Sequence, residues 1–189
     1  MAYLPAVERP KGLVKRITYR VLRRVFGVVP TGTMVFTARM PVAFMTFLSR
    51  TYRLDKKLQL DSETVSIVRQ QVASINMCTA CIDIGRYFGL KESAATLTRL
   101  DALADYRTSP LFSEAERAAL DYAGELTATK AVSAETFARL ALHYSEREIC
   151  DLVWLVASEH LANLANIGLG VGSDGLCELS QQRRLQKAS

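Results

Sequence analysis

Apolar residues recur every three or four positions along most of the chain, and no stretch alternates with the two-residue period of a half-buried strand. Leu13, Val14, Ile17, Val21, Leu22 and Val25 form such a stripe between Lys11 and Phe26, with basic residues on the other side. Gly27 and Pro30 end this amphipathic helix. Pro41 suits the first turn of a second helix through Val42, Phe44, Phe47 and Leu48. A third begins at Asp61 or Ser62, where Val65, Val68, Val72, Ile75, Thr79 and Ile82 trace one stripe that Gly85 and Gly89 weaken. A short helix is expected from Ser93 to Ala104. Ser113 with Glu116, and Ser145 with Glu148, are capping boxes, and Ser133 caps the helix between them. The last long helix runs from Ile149 through Leu152, Val153, Val156, His160, Leu164 and Ile167 to Gly168.

About seven helices joined by short connections predict an all-α fold in which helices pack on helices, with no repeat of solenoid period. At 189 residues, 49% of them hydrophobic, the chain supports one domain. Three segments are expected: a basic amphipathic arm over residues 1–27, a helical domain over 28–180 and a polar, frayed tail over 181–189. The net charge of +5 is concentrated in the arm, where Arg9, Lys11, Lys15, Arg16, Arg20, Arg23 and Arg24 face Glu8 alone. A single aromatic residue, Tyr19, stands among these charges, short of the interleaved series a base-stacking surface needs, so nucleic acid is set aside as a partner. The apolar stretch from Val28 to Leu48 is broken by Pro30, Gly32, Arg39 and Pro41, which makes it buried protein and no transmembrane segment. The opening residues lack the run of a secretion signal, so a cytoplasmic location is expected.

Four cysteines without a secretion signal leave metal binding or redox chemistry, and only Cys78 and Cys81 are close in sequence. Two cysteines three apart on a helical turn can form and break a disulfide, and a helix N-terminus favours the thiolate. The strands of a thioredoxin fold are absent from the pattern. A zinc site would draw on Cys150, Cys177, His143 and His160, but no second paired motif supports it and no metal is called for. Cys150 reads as a small buried hydrophobe on the last helix, and Cys177 carries no argument for function.

The segment Ser74 to Gly85 (SINMCTACIDIG) resembles the alkyl hydroperoxidase D (AhpD) core, in which an Asn precedes a CxxC by two residues. Phe112 to Ala123 (FSEAERAALDYA), Ser145 to Val153 (SEREICDLV) and Asn163 to Asn166 (NLAN) then follow in the order seen in carboxymuconolactone decarboxylase relatives. The resemblance covers Pro30 to Leu179. It implies an AhpD-like orthogonal helical bundle, a homo-oligomer with its site near a subunit boundary, and peroxide or disulfide chemistry. By position, Cys81 attacks and Cys78 resolves the sulfenic acid as a disulfide, which an external dithiol reduces; no bound cofactor is implied. The pattern also places a His four residues after the second cysteine and a Glu twelve before the first. Here those positions hold Gly85 and Ser66.

Another group must then take up the proton work. Glu63 lies a turn before Ser66, Asp83 follows the motif, Arg86 can favour a thiolate, and Glu159 and His160 come from the last long helix. His160 and Glu63 are the preferred replacements. Asn76 is the candidate for shaping the backbone of the motif. The expected function is a thiol oxidoreductase, either a weak alkyl hydroperoxidase or a disulfide exchanger. The alternatives are a decarboxylase-like enzyme acting on a small organic acid and a non-catalytic oligomeric binding protein.

Overall fold

The computed structural model describes residues 2–188, with side chains described as far as Gln182; Ser189, the last residue of the polar tail, lies outside them. The described residues form nine α-helices and no strand: α1 Leu13–Phe26, α2 Val42–Asp55, α3 Ser62–Ile75, α4 Thr79–Glu92, α5 Ala94–Asp101, α6 Glu114–Thr129, α7 Ala134–Ala141, α8 Glu146–Ile167 and α9 Leu176–Ala188. A π-helical turn over Thr33–Thr37 and a 3-10 turn over Leu103–Asp105 complete the element order.

Local chemistry sets most boundaries. Asp61 caps α3 by accepting the Thr64 N–H at 2.8 Å, and Ser93 caps α5 through the Thr96 N–H at 2.9 Å. Both predicted capping boxes form, at α6 and α8. Ser133 caps α7, and left-handed Gly27 closes α1 by donating its N–H to Arg23.

The main core gathers Val68 and Val72 of α3, Leu120 of α6, Leu140 of α7, and Leu152 and Leu155 of α8, none of them exposed. Fully burying side chains of this size stabilises a fold by about 1.5–3 kcal/mol each. A smaller cluster holds Val35, Ala73, Cys78, Ala80, Cys81 and Val171. A third joins Phe26 of α1 to Tyr87 of α4 and Leu176 of α9, so the basic arm is docked on the domain. The Tyr87 hydroxyl donates to the Val25 carbonyl at 2.5 Å and the Tyr19 hydroxyl donates to that of Val7 at 2.7 Å.

Four expectations change. The stripe from Val65 to Ile82 is two helices, because the chain turns at Asn76 and Met77. The Met77 N–H reaches the Ser74 carbonyl and the Cys78 N–H reaches that of Ala73, with Met77 left-handed at φ 56°. This closure usually carries glycine. In α1, Tyr19 and Phe26 are the buried residues, while Leu13, Val14, Ile17, Val21 and Val25 face outward. In α2, part of the stretch read as buried, no residue is buried. In α8 the inward face is set by Ile149, Leu152, Leu155, Val156 and Asn163, leaving Val153, Leu164, Ile167 and Cys150 exposed. The backbone of the polar tail is helical as far as Ala188.

Candidate active site

Breaking the helix at Met77 places the cysteine pair at the start of α4. Cys78 is its N-cap residue, and its sulfur accepts the Cys81 N–H at 3.3 Å. Unpaired N–H groups at a helix start favour negative charge, which suits a thiolate. Cys78 and Cys81 form a disulfide, with Cα atoms 5.3 Å apart. Cys78 is 1% exposed and Cys81 8%, so Cys81 is the more accessible residue of the pair.

Helix α8 passes behind the pair and supplies four polar side chains. Asn166 Nδ2 donates to Cys81 Sγ at 3.4 Å. One turn earlier, Asn163 is fully buried; its Nδ2 donates to Glu159 Oε1 at 2.7 Å and its Oδ1 accepts Asn76 Nδ2 at 2.8 Å. The same Asn76 amide lies 3.3 Å from His160 Nδ1. A chain of amides thus ties Glu159 and His160 to the residue that caps α3 two positions before Cys78. Asn76, expected to shape the backbone of the motif, is thus the C-cap residue of α3 and is held from α8 through its side chain.

Burial raises the Glu159 carboxyl above its ordinary value, against the opposing effects of Arg69 and the Asn163 hydrogen bond. Burial also lowers the His160 imidazole, helped by the positive charge of Lys130. His160 Nε2 is buried without a partner, and among the described residues no hydrogen bond joins His160 to either sulfur.

A cavity of about 370 Å³ opens alongside, within the size range of small-molecule sites. Phe26, Phe36, Phe44, Leu48 and Ile84 give it an apolar wall. Ala80, Asn166 and Glu159 bring it to the redox pair. Arg69 and Asp55 also line it and are paired at 2.7 Å, with Trp154 Nε1 donating to the second oxygen of Asp55 at 2.9 Å.

The other expected residues are placed elsewhere. Glu63 is ion-paired with Arg99 at the surface. Its neighbour Ser62 meets Glu92 at the far end of α4, roughly 16 Å along the helix axis from Cys81. Glu63 is therefore too distant to serve the thiol. Asp83 is buried and accepts the Ser173 hydroxyl and the N–H groups of Asp174, Leu176 and Cys177, which makes it the cap of α9. Ser66 is partly buried on α3.

At Gly85, a Cβ would lie 2.2 Å from Gln70 Oε1, so the side chain missing from the family pattern is replaced by an amide packed from α3. His143 and Cys150 are exposed, while Cys177 is buried at the start of α9. Among the described residues, no three His, Cys, Asp or Glu side chains gather as a metal site. Asn166 and the cavity were not legible as functional features, because both depend on how α8 lies against α2 and the turn over Thr33–Thr37. Gly32 is the one local signal: a Cβ there would sit 2.5 Å from Asn166 Oδ1.

No family model matches the chain. It is 29% identical over 187 residues to the uncharacterized protein YnjA of Escherichia coli (strain K12), covering 97% of each. Among solved structures it is similar to the debrominase Bmp8 in complex with 2,3,4-tribromopyrrole, with a TM-score of 0.79, 16% identity and 97% of each chain covered. It is also similar to the alkylhydroperoxidase AhpD core protein, an uncharacterized peroxidase-related protein of Ralstonia eutropha JMP134. That match has a TM-score of 0.72 and 19% identity, and covers 92% of this chain and 95% of the other. The chain thus has the all-α fold of the AhpD-like, peroxidase-related proteins, with a CxxC disulfide pair at the head of α4.

Proposed function

We propose that the protein is a CxxC thiol oxidoreductase that reduces an organic hydroperoxide, with Cys81 as nucleophile and Cys78 as resolving thiol. The observation that carries this reading is the disulfide pair at a helix start, with Asn166 donating to the sulfur of the more exposed cysteine, Cys81, beside an apolar cavity. In the reduced protein the Asn166 amide and the first turn of α4 stabilise the Cys81 thiolate. Attack on the peroxide gives a sulfenic acid, and Cys78 displaces water from it to restore the disulfide. An external dithiol completes the cycle. The exposed Cys150 and the absence of a disulfide framework suit a reducing, cytoplasmic compartment.

Thiol counting on the reduced protein tests this directly. Cumene hydroperoxide should remove two thiols from wild type and leave a trappable sulfenic acid in Cys78→Ser. Cys81→Ser should keep its thiols. Unchanged thiols in wild type would sink the reading.

A second reading has its own support. The fold similarity to the debrominase Bmp8 spans 97% of both chains, and the cavity beside Cys81 is walled by aromatic and aliphatic side chains. On this reading the Cys81 thiolate takes bromine from a small aromatic ring as a sulfenyl bromide while a proton replaces it on carbon, and Cys78 displaces bromide to form the disulfide. Bromide release from a brominated pyrrole, lost in Cys81→Ser, would favour it over peroxide reduction.

We also infer a homo-oligomer. Phe47, Tyr52 and Leu54 of α2 and Leu161, Leu164 and Ile167 of α8 are exposed apolar residues on two helices that wall the cavity, a suitable face for a second copy. Light scattering on wild type and Leu164→Glu checks this: a monomer mass for wild type would remove the inference.

A further inference from the structure

The proton balance of the cysteine reaction needs an acid that neither sulfur supplies. The family pattern meets proton transfer with a Glu and a His, and here those positions hold Ser66 and Gly85, the latter packed against Gln70. We propose that Glu159 of α8 is the general acid of this site, delivering its proton to the oxygen that leaves when Cys81 attacks a hydroperoxide whose apolar part occupies the cavity. This proposal rests on the redox reading above and assigns a residue to a step that reading leaves open.

Three observations place Glu159 in this role. It lines the same cavity as Ala80, the neighbour of Cys81, and Asn166, which donates to Cys81 Sγ. Its carboxyl is held in place: Oε1 accepts from Asn163, which is itself anchored by Asn76. Its surroundings favour the neutral acid. The groups facing it are Arg69 of α3 and Asp55 of α2, and these two charges are paired with each other. Asp174, which lines the cavity from the segment before α9, is taken up by the Thr31 N–H and hydroxyl. His160, the next residue, is driven towards its neutral form. Glu159 therefore has no dedicated cation, and burial raises its pKa.

The step balances without any further reagent. The Cys81 thiolate attacks the distal oxygen of ROOH; an S–O bond forms, the O–O bond breaks, and the electron pair departs on RO⁻. Glu159 gives RO⁻ its proton, leaving Cys81 as the sulfenic acid, the product alcohol and a Glu159 carboxylate. The carboxylate regains a proton from solvent through the cavity. The Cys78 thiol then forms the disulfide and water is released. A half-buried acid with a raised pKa is matched to this task, since it keeps its proton until the alkoxide appears.

Single-turnover oxidation of the reduced protein tests the proposal, comparing wild type with Glu159→Gln on cumene hydroperoxide and on 3-chloroperoxybenzoic acid. The peracid leaves as a carboxylate and needs no proton. Glu159→Gln should lose about 100-fold in rate with cumene hydroperoxide, the size expected of a general acid, and less than about threefold with the peracid. The wild-type pH profile should rise as Cys81 ionises and fall as Glu159 does, and the falling limb should vanish in Glu159→Gln. Equal losses on both oxidants would mark a structural role and overturn the proposal, as would an unchanged rate with cumene hydroperoxide. A wild-type protein inert to both oxidants would instead overturn the redox reading itself. Glutamine mimics the neutral acid, so the variant should fold, and cooperative unfolding with a thermal midpoint no lower than that of wild type at neutral pH verifies that.

Discussion

Helices α3, α6 and α8 meet around Val68, Leu120, Leu152 and Leu155, each shielded from solvent, whereas α2 buries no residue at all and spends its inner face on the wall of a cavity. The first region has the density of a protein interior. The second is left open on the side where α1, the turn over Thr33–Thr37 and α2 approach α8. The redox pair lies on the seam: Cys78 and Cys81 belong to a small buried cluster, and Ala80 between them reaches the cavity. The contrast separates two jobs of an apolar side chain. In the core it excludes water to hold the fold, and at the cavity it excludes water from a reacting sulfur.

The largest effect expected from breaking this contrast is on stability. Leu152→Ala should cost about 3–4 kcal/mol, since its cavity cannot collapse between packed helices, while Phe47→Ala on exposed α2 should change the isolated subunit by less than about 0.5 kcal/mol. Urea denaturation of both variants measures the difference, and similar losses would show that α2 is as integral as the core.

Gly32→Ala should reverse the pattern. Its helical backbone accepts alanine, but the new Cβ would collide with Asn166 Oδ1 and displace the donor to Cys81. Thiol oxidation should slow by about 10- to 100-fold, with little change in the denaturation midpoint.

Glu159 sharpens the comparison through pH. Its folded carboxyl titrates above the ordinary value near 4.5, so the folded state binds the proton more tightly than the unfolded chain. That contribution to stability is full below the unfolded value and disappears as pH rises through the folded one. Glu159→Gln should flatten this part of the thermal midpoint against pH, and an unaltered curve would show that the carboxyl is not shielded.

The smallest effect belongs to Met77. It is 79% exposed and left-handed, so Met77→Gly should relieve backbone strain and stabilise the fold by about 0.5–1 kcal/mol. A loss would mean that the exposed side chain contributes to the turn.

Elements governed by neighbours in sequence were legible. Ser113 with Glu116 and Ser145 with Glu148 announce helix starts because the partners of a capping box are three residues apart. The turn at Met77 was not, because its left-handed residue is a methionine and nothing interrupts the apolar spacing across it. The outward faces of α1 and α8 were misjudged for a related reason. Periodicity shows that a helix has an apolar side, but only the packed neighbours decide which side is covered, so Tyr19 is buried while Ile17 is not. Within the site, Cys78 and Cys81 are paired, as their spacing allowed. Glu63 and Asp83 were proposed from closeness in sequence; one pairs with Arg99 and the other caps α9.

The sequence by itself determined the helices, their caps and the cysteine pair, because each depends on interactions within about one helical turn. Only the tertiary structure decided which carboxyl, which amide and which apolar side chains surround the sulfur. Glu159 and Asn166 lie roughly eighty residues along the chain from Cys81, and the packing of α8 across the start of α4 brings Asn166 to the sulfur and Glu159 to the cavity beside it.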